Sequence, residues 1–259
     1  FRPTAPIVGP EGGREIVLLA DSFNGSFEPE NLQAALQVLV AGGYRVHLPL
    51  AVDGSNRPLC CGRTFLAAGL VEQARVELER LAGTLAPYVA RKFPIVGLEP
   101  SCLLTLRDEV LAILPGAESE ALSKHALLFE EFLAAEAKAG CLALPLRPLA
   151  QRRALLHGHC HQKAFAALGA VETVLGMIPD LRVETLGGSC CGMAGAFGYC
   201  AETYEISMKM GEMTLLPAVR ATSQDTLLVA DGTSCRHQIK DGTGREALHV
   251  ARVLAQALG

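Results

Sequence analysis

Residues 226–235 read TLLVADGTSC, an apolar run followed by a small polar turn and a Ser-Cys pair. Residues 93–102, FPIVGLEPSC, repeat this order in the first half of the chain. Such a repeat indicates one structural unit used twice. We therefore predict an α/β fold with two pseudo-symmetric lobes, each a mostly parallel sheet flanked by helices. The expected division is a linker over 1–13, a first lobe over 14–150 and a second lobe over 151–259.

Apolar strands alternate with amphipathic helices on both sides of this repeat, which is typical of parallel sheets covered by helices. In the first half, the pattern predicts one long helix over 64–92 and helical structure throughout 117–140. It also predicts a joining strand over 141–149. Cysteines follow several of the predicted strands. Since open α/β sheets bind ligands beyond the carboxyl ends of their strands, we expect these cysteines to gather at one edge of each sheet.

Two adjacent cysteines occur in each half, in GGSCCGMAG (187–195) and in PLCCGRTF (58–65). Adjacent cysteines are poor disulfide partners without backbone strain. The chain has nine cysteines, an odd number, and no signal peptide at its start. These features favour a reducing compartment, where thiols serve metals or catalysis.

Four cysteines of the second half are predicted to lie at strand ends: Cys160, Cys190, Cys191 and Cys235. Four thiolates around one point suit an iron–sulfur cluster, such as [4Fe–4S], or a tetrahedral zinc ion. The alternative is that they are ordinary buried cysteines, but the repeated Cys-Cys-Gly and Ser-Cys argue against it. Cys141 and Cys200 are assigned instead to core packing.

The first half offers three thiols, Cys60, Cys61 and Cys102, as a second possible metal site. Asp21, Ser22 or Phe23 stands where the second half has Cys160, depending on a one-residue choice of alignment. Three thiols do not complete a four-coordinate site. Either another ligand completes it, or the site has lost its metal and remains as packing.

Histidines accompany the second-half cysteines in HGHCH (157–161), and His237 follows Cys235 by two residues. His159 and His161 are the imidazoles considered as ligands. Histidines beside a metal, however, more often tune it or shuttle protons without binding it directly. GGSCCGMAG also resembles a phosphate-binding loop, but it lacks the Lys and Ser/Thr of such a loop.

Composition excludes several classes of protein. The net charge is −4, from 23 basic and 27 acidic residues without a basic run, which argues against nucleic acid as a partner. No window offers the roughly 18 uninterrupted apolar residues of a membrane helix. We therefore expect a cytoplasmic protein. Because the chain begins at Phe1 with a Pro/Gly-rich stretch, we also expect it to be a piece of a longer protein.

These motifs resemble the cysteine-rich CCG family, which includes the heterodisulfide reductase B subunit and the iron–sulfur subunits of glycolate oxidase and anaerobic glycerol-3-phosphate dehydrogenase. Members carry two copies of a Cys, a distant Cys-Cys-Gly and a terminal Cys-x-x-Cys. The resemblance covers the chain from about Ile16 to Leu258. Here the Cys-x-x-Cys keeps only its second member, since Glu99 and Gly232 stand three residues before the last cysteine of each copy. This departure favours a single four-cysteine cluster over disulfide-reducing chemistry.

More narrowly, DSFNGSFEPENLQAAL (21–36) resembles the C-terminal part of fused flavoproteins that oxidise D-lactate or D-2-hydroxyglutarate. The resemblance implies an FAD-linked oxidase module or subunit and a ferredoxin-like segment as partners. It implies electron transfer from FAD to a quinone or another acceptor, with FAD bound only in the partner module. It leaves open a peripheral association with the inner membrane.

The sequence thus predicts an iron–sulfur electron-transfer module of a flavin-dependent 2-hydroxy-acid dehydrogenase, an oxidoreductase component with no catalytic residues of its own. A zinc-stabilised structural or docking module is the first alternative, because zinc accepts the same four thiolates. A thiol-disulfide oxidoreductase is the second, and it requires an exposed cysteine of low pKa.

Overall fold

The computed structural model describes residues 1, 5–55, 57–188 and 190–259. Residues 2–4 of the expected linker, and Ser189 of the second Cys-Cys loop, lie outside this part. The chain divides into two compact units, Phe1–Leu144 and Pro145–Gly259. Each unit is an α/β structure with its own sheet, as the repeated pattern predicts.

The first unit contains a five-stranded sheet in the order β1-β3-β2-β4-β5. Only β1 runs antiparallel to its neighbour, and it lies within the stretch 1–13 expected to be a linker. The strands are β1 Ile7–Val8, β2 Arg14–Leu18, β3 Tyr44–His47, β4 Ile95–Gly97 and β5 Ala126–Leu128.

Eight helices surround this sheet in the described part of the first unit. They are α1 Ser22–Ser26, α2 Pro29–Ala41, α3 Arg63–Ala67, α4 Val71–Ala90, α5 Pro100–Thr105, α6 Glu109–Ile113, α7 Ala117–His125 and α8 Phe129–Lys138. Pro29 begins α2, where its missing N–H costs no hydrogen bond. The apolar face of α2 then packs into the core through Leu32 and Leu39, which are fully buried.

Three sequence predictions for the first unit are wrong in detail. The single helix expected over 64–92 is broken between α3 and α4, where Gly69 has a φ of +75°. The helical stretch expected over 117–140 contains β5, which pairs with β4. The strand expected over 141–149 is reduced to an isolated bridge between Leu146 and Leu258.

The second unit contains a wholly parallel three-stranded sheet in the order β7-β6-β8. The strands are β6 Arg153–Leu156, β7 Arg182–Thr185 and β8 Leu227–Val229. The helices are α9 Cys160–Ala164, α10 Leu168–Leu175, α11 Ala201–Glu212, α12 Leu215–Ala221, α13 Thr233–Thr243 and α14 Val250–Ala257, and a 3₁₀ turn covers Phe197–Tyr199.

The two sheets share one topology. In each unit the first repeat strand lies in the centre, the second on one side and the third on the other. Their registers match, since Leu18 pairs with Val96 as Leu156 pairs with Val229. Leu248 adds a parallel bridge beside β8, as β5 adds a strand beside β4. The predicted pseudo-symmetric α/β fold is therefore confirmed.

Candidate metal centre

The strand ends of the second sheet bring the HGHCH segment to its carboxyl edge. The backbone N–H of His157 donates to Val229 O at 2.8 Å, which continues the β6–β8 ladder. His159 caps α9, because its Nδ1 accepts from the N–H of His161 at 3.2 Å. Cys160 is therefore the first residue of α9, directly beyond the sheet.

The Cys-Cys-Gly loop depends on its glycine. Gly192 has a φ of +97°, and a Cβ at this position would collide with Ser207 O. Glycine is the residue that adopts this conformation without a steric cost. The N–H of Gly192 donates to Cys190 Sγ at 3.3 Å. The sulfur of Cys190 therefore already accepts a hydrogen bond from a backbone amide of the same loop.

The structure brings the four second-half cysteines together. Cys235, near the start of α13, has its Sγ 3.5 Å from Cys191 Sγ. Cys190 forms thiol hydrogen bonds with Cys160 and Cys191. Cys191 and Cys235 are 3% and 1% exposed, whereas Cys190 is half-buried and Cys160 is exposed. The cluster therefore extends from the core of the unit to its surface.

Hydrogen bonding and nearby imidazoles favour thiolates at two of these positions. Hydrogen bonds with Cys160 and Cys191 lower the pKa of Cys190. The hydrogen bond with Cys191 and the adjacent imidazoles of His157 and His159 lower the pKa of Cys235 well below its usual value. The hydrogen bonds among these thiols raise the pKa of Cys160 and of Cys191, so the shifts favour the metal-binding thiolate form at two of the four positions.

His157 is a member of the site that sequence reasoning missed. One of its ring nitrogens and the Sγ atoms of Cys191 and Cys235 lie within 4.8 Å of one another, and all three residues are buried. From the sequence, only His159 and His161 were expected as imidazole ligands. The signal available was the position of His157 at the end of β6, one residue past the last strand residue.

A buried hydrogen-bond network joins the two segments that carry Cys160 and Cys235. Gln162 Oε1 accepts from the N–H of His159 at 3.0 Å, and its Nε2 donates to Asp231 Oδ2 at 2.8 Å. Asp231 Oδ1 accepts from the N–H of Val250 at 3.0 Å. Arg236 donates to Asp231 O at 2.7 Å. The network connects the turn that carries Cys160 to the strand end before Cys235.

The first unit repeats the loop geometry with one thiol fewer. Gly62 has a φ of +77° and donates its N–H to Cys60 Sγ at 3.4 Å. Cys61 forms thiol hydrogen bonds with Cys60 and Cys102. Ser22 is the first residue of α1, as Cys160 is of α9, and its side chain hydrogen bonds with Cys60. Ser22 is thus the counterpart of Cys160.

Carboxylates surround the first-unit thiols where imidazoles surround those of the second. Asp21 and Glu99 are 4% and 3% exposed. Burial and the charge of Glu99 raise the pKa of Asp21 to about 6. A hydrogen bond with Cys61 lowers the pKa of Cys102, but burial and the charges of Asp21 and Glu99 outweigh it and raise that pKa to about 12. This environment disfavours a thiolate at Cys102.

Cys141 and Cys200 do not pack in a core, contrary to the sequence prediction. Both are exposed. Cys141 Sγ donates to Ala139 O at 3.6 Å, and Cys200 Sγ donates to Ala196 O at 3.7 Å. The apolar stretch around Cys141 misled the prediction, because it follows the end of α8 instead of forming a strand.

The described residues include no helix long and apolar enough to cross a membrane. Fold and site together define an α/β protein of two similar units, with a cysteine cluster at the carboxyl ends of parallel strands in the second.

Comparison with known proteins shows two kinds of relative. The sequence is 29% identical to one subunit of the anaerobic glycerol-3-phosphate dehydrogenase of Escherichia coli strain K12 over 241 residues, which are 91% of this chain and 58% of that protein. It is 31% identical to D-2-hydroxyglutarate dehydrogenase of Pseudomonas putida over 247 residues, 94% of this chain and 22% of that protein. The protein of the same name from Escherichia coli strain K12 is 23% identical over 247 residues, covering 95% of this chain and 23% of that protein.

Both kinds of relative are among those that the sequence resemblance predicts. No family model matches the sequence. The chain spans little more than half of the first relative and less than a quarter of the other two.

Proposed function

We propose that this chain is an iron–sulfur electron-transfer module of a flavin-dependent dehydrogenase that oxidises a 2-hydroxy acid. Its ligands are Cys160, Cys190, Cys191 and Cys235. The observation that carries the proposal is that these four thiols lie together at one sheet edge, with Cys191 Sγ 3.5 Å from Cys235 Sγ and with Cys190 interacting with both Cys160 and Cys191. The similarity to a D-2-hydroxyglutarate dehydrogenase supports the reaction class.

The donor set fits an iron–sulfur cluster by its chemistry. Four thiols are the usual protein ligands of such clusters. The Gly192 N–H already donates to Cys190 Sγ, and such hydrogen bonds to sulfur are one means by which proteins set the reduction potential. When bound, the cluster would supply one-electron transfer. The four cysteines would hold it, and two of them, Cys191 and Cys235, are buried.

Exposure of Cys160 gives electrons a route to a partner. Cys160 lies at the surface, while Cys191 and Cys235 are buried in the core with Met193, Leu215 and other apolar residues. An acceptor or donor therefore approaches from the Cys160 side. We propose that a flavin-containing module delivers electrons there and that a quinone or another acceptor receives them.

The proposal is tested on protein purified without oxygen, by its visible absorbance before and after dithionite. We expect absorbance that dithionite bleaches in the unmodified protein. Cys190→Ser removes a proposed ligand and abolishes most of the bleachable absorbance. Cys200→Ser is the matched control, because this exposed thiol bonds only with a backbone oxygen in the described structure and its loss leaves the absorbance unchanged. Equal absorbance in the two variants would refute the assigned ligands.

A zinc-stabilised module is the second candidate, and the closeness of three buried donors favours it. His157, Cys191 and Cys235 present ligand atoms within 4.8 Å of one another, a spacing that suits one tetrahedral ion. A structural zinc ion contributes to folding without redox chemistry. Zinc without acid-labile sulfide, in protein that dithionite does not bleach, would favour this candidate over the first.

A further inference from the structure

A buried imidazole nitrogen beside the second-unit thiols lacks a hydrogen-bond partner. His157 is 3% exposed, and its Nε2 makes no hydrogen bond within the part of the chain that the structure describes. Buried polar groups in proteins are nearly always hydrogen-bonded. A ring nitrogen of His157 also lies within 4.8 Å of the Sγ atoms of both Cys191 and Cys235. The site therefore offers an imidazole donor without an assigned role.

The two buried thiols lie close enough to each other to bind one metal centre. Their Sγ atoms are 3.5 Å apart. A ring nitrogen of His157 is within reach of both sulfurs, so the three donors can face the same centre.

Position 232 does not supply a cysteine as a further ligand of the centre. In the pattern that the sequence resembles, a cysteine stands three residues before Cys235, and here the residue is Gly232. A Cβ at Gly232 would collide with the His159 ring. His159 itself uses Nδ1 to cap α9. His157 is the nearby imidazole whose ring nitrogen lies close to both Cys191 and Cys235.

We propose that His157 is a ligand of the same metal centre as Cys191 and Cys235 through an imidazole nitrogen, so that the centre has a mixed thiolate and imidazole donor set. This inference rests on the proposed function, because it requires a metal at this site. The hydrogen bond from the His157 N–H to Val229 O fixes the residue at the sheet edge. Imidazole is neutral where thiolate is anionic. Its presence therefore raises the reduction potential of an iron–sulfur centre relative to an all-thiolate set.

The test uses the full chain, purified without oxygen after growth with either natural or ¹⁵N-labelled histidine. Pulsed electron paramagnetic resonance of the reduced protein is expected to show a histidine nitrogen coupled to the centre. X-ray absorption at the edge of the bound metal is expected to show a nitrogen neighbour. In His157→Cys, which supplies a thiolate instead, we expect retained metal, no nitrogen coupling and a lower reduction potential. His237→Gln is the matched control, because His237 bonds with Tyr199 near Cys235 and its replacement leaves both signals unchanged.

The outcomes separate this inference from the proposed function. Iron and sulfide without a nitrogen neighbour, or a coupling that persists in His157→Cys, overturns only the role of His157. Zinc with a nitrogen neighbour that His157→Cys removes overturns the redox function and supports the ligand. Zinc without such a neighbour overturns both, as does protein that binds no metal.

Discussion

At the scale of single residues, Gly192 controls the shape of the second Cys-Cys loop. We predict that Gly192→Ala lowers the free energy of unfolding by about 1–3 kcal/mol, because alanine at a φ of +97° is strained and its Cβ meets Ser207 O. The same change displaces Cys190 and Cys191 and reduces bound metal. Chemical denaturation and metal analysis measure the two effects.

Gly187→Ala is the control for this prediction, since a Cβ there meets nothing within 4 Å and its φ is not in the left-handed region. We expect its stability and metal content to match those of the unmodified protein. Equal stability of Gly192→Ala and Gly187→Ala would contradict the steric account of the loop.

Asp21 makes a pH-dependent contribution to stability that can be measured directly. Its pKa of about 6, raised by burial and by Glu99, exceeds the value of about 3.9 in the unfolded chain. The contribution is therefore fully present below about pH 4 and is lost as the pH rises through 6. Relative to Asp21→Asn, the unmodified protein should lose up to about 3 kcal/mol of unfolding free energy between pH 4 and pH 7.

Denaturant unfolding of both proteins at several pH values tests this prediction. Asparagine also caps helices well, so the difference between the two proteins isolates the titration. A difference that does not change with pH, or that changes in the opposite direction, would contradict the prediction.

Sequence predicted much of the candidate site and missed one residue of it. The four second-half cysteines lie together because parallel strands end at one edge of the sheet. The apolar pattern of the sequence predicts those strands. To choose among Asp21, Ser22 and Phe23 as the counterpart of Cys160, one needs the strand register. The sequence leaves that register uncertain by one residue. His157 was missed because the repeat concerns cysteines, although its position directly after β6 places it at the sheet edge.

At the scale of elements, the Gln162 network fixes the turn before α9 against the end of β8. We predict that Gln162→Ala increases the rate of metal loss to a chelator by about 10-fold or more. The reason is that mutation of residues that hydrogen-bond to metal ligands and orient them typically weakens metal binding by such a factor. The variant removes the hydrogen bonds of Gln162 with His159 and Asp231. Metal release is followed by absorbance.

Gln73→Ala, on the exposed face of α4 in the other unit, is the control and is expected to release metal at the normal rate. If Gln162→Ala also releases metal normally, the network does not position the thiols.

The elements that sequence mispredicted are short or interrupted. β5 has three residues inside a stretch of helical composition, and only its pairing with β4 makes it a strand. The long helix over 64–92 breaks because Gly69 adopts a φ of +75°, which local periodicity does not predict. The apolar runs of β4 and β8 were predicted correctly as strands, since burial on both faces gives them a strong signal.

At the scale of the whole molecule, two similar units carry different electrostatic environments. We predict that the variant with Cys60→Ser, Cys61→Ser and Cys102→Ser retains the metal content of the unmodified protein. The reason is that the first unit has Ser22 in place of the fourth thiol, while burial and the charges of Asp21 and Glu99 raise the pKa of Cys102.

The control is the corresponding triple variant of the second unit, with Cys190, Cys191 and Cys235 changed to serine, which is expected to bind no cluster. Metal analysis of both proteins decides the matter. A loss of half the metal in the first-unit variant would show that both units bind metal.

Duplication of the α/β unit was predictable, because the order of strand, turn and Ser-Cys recurs at 93–102 and 226–235. The difference between the two sites was only partly predictable. Sequence shows the missing thiol, but the burial of Asp21 and Glu99 beside Cys102 emerges only when the strand ends are assembled.

We propose that the second unit holds an iron–sulfur cluster, and measurement of iron, zinc and acid-labile sulfide per chain in protein purified without oxygen tests this. We expect iron and sulfide in near-equal amounts, sufficient for one cluster per chain, with little zinc. Zinc without sulfide would contradict the claim and leave a structural or docking module in its place.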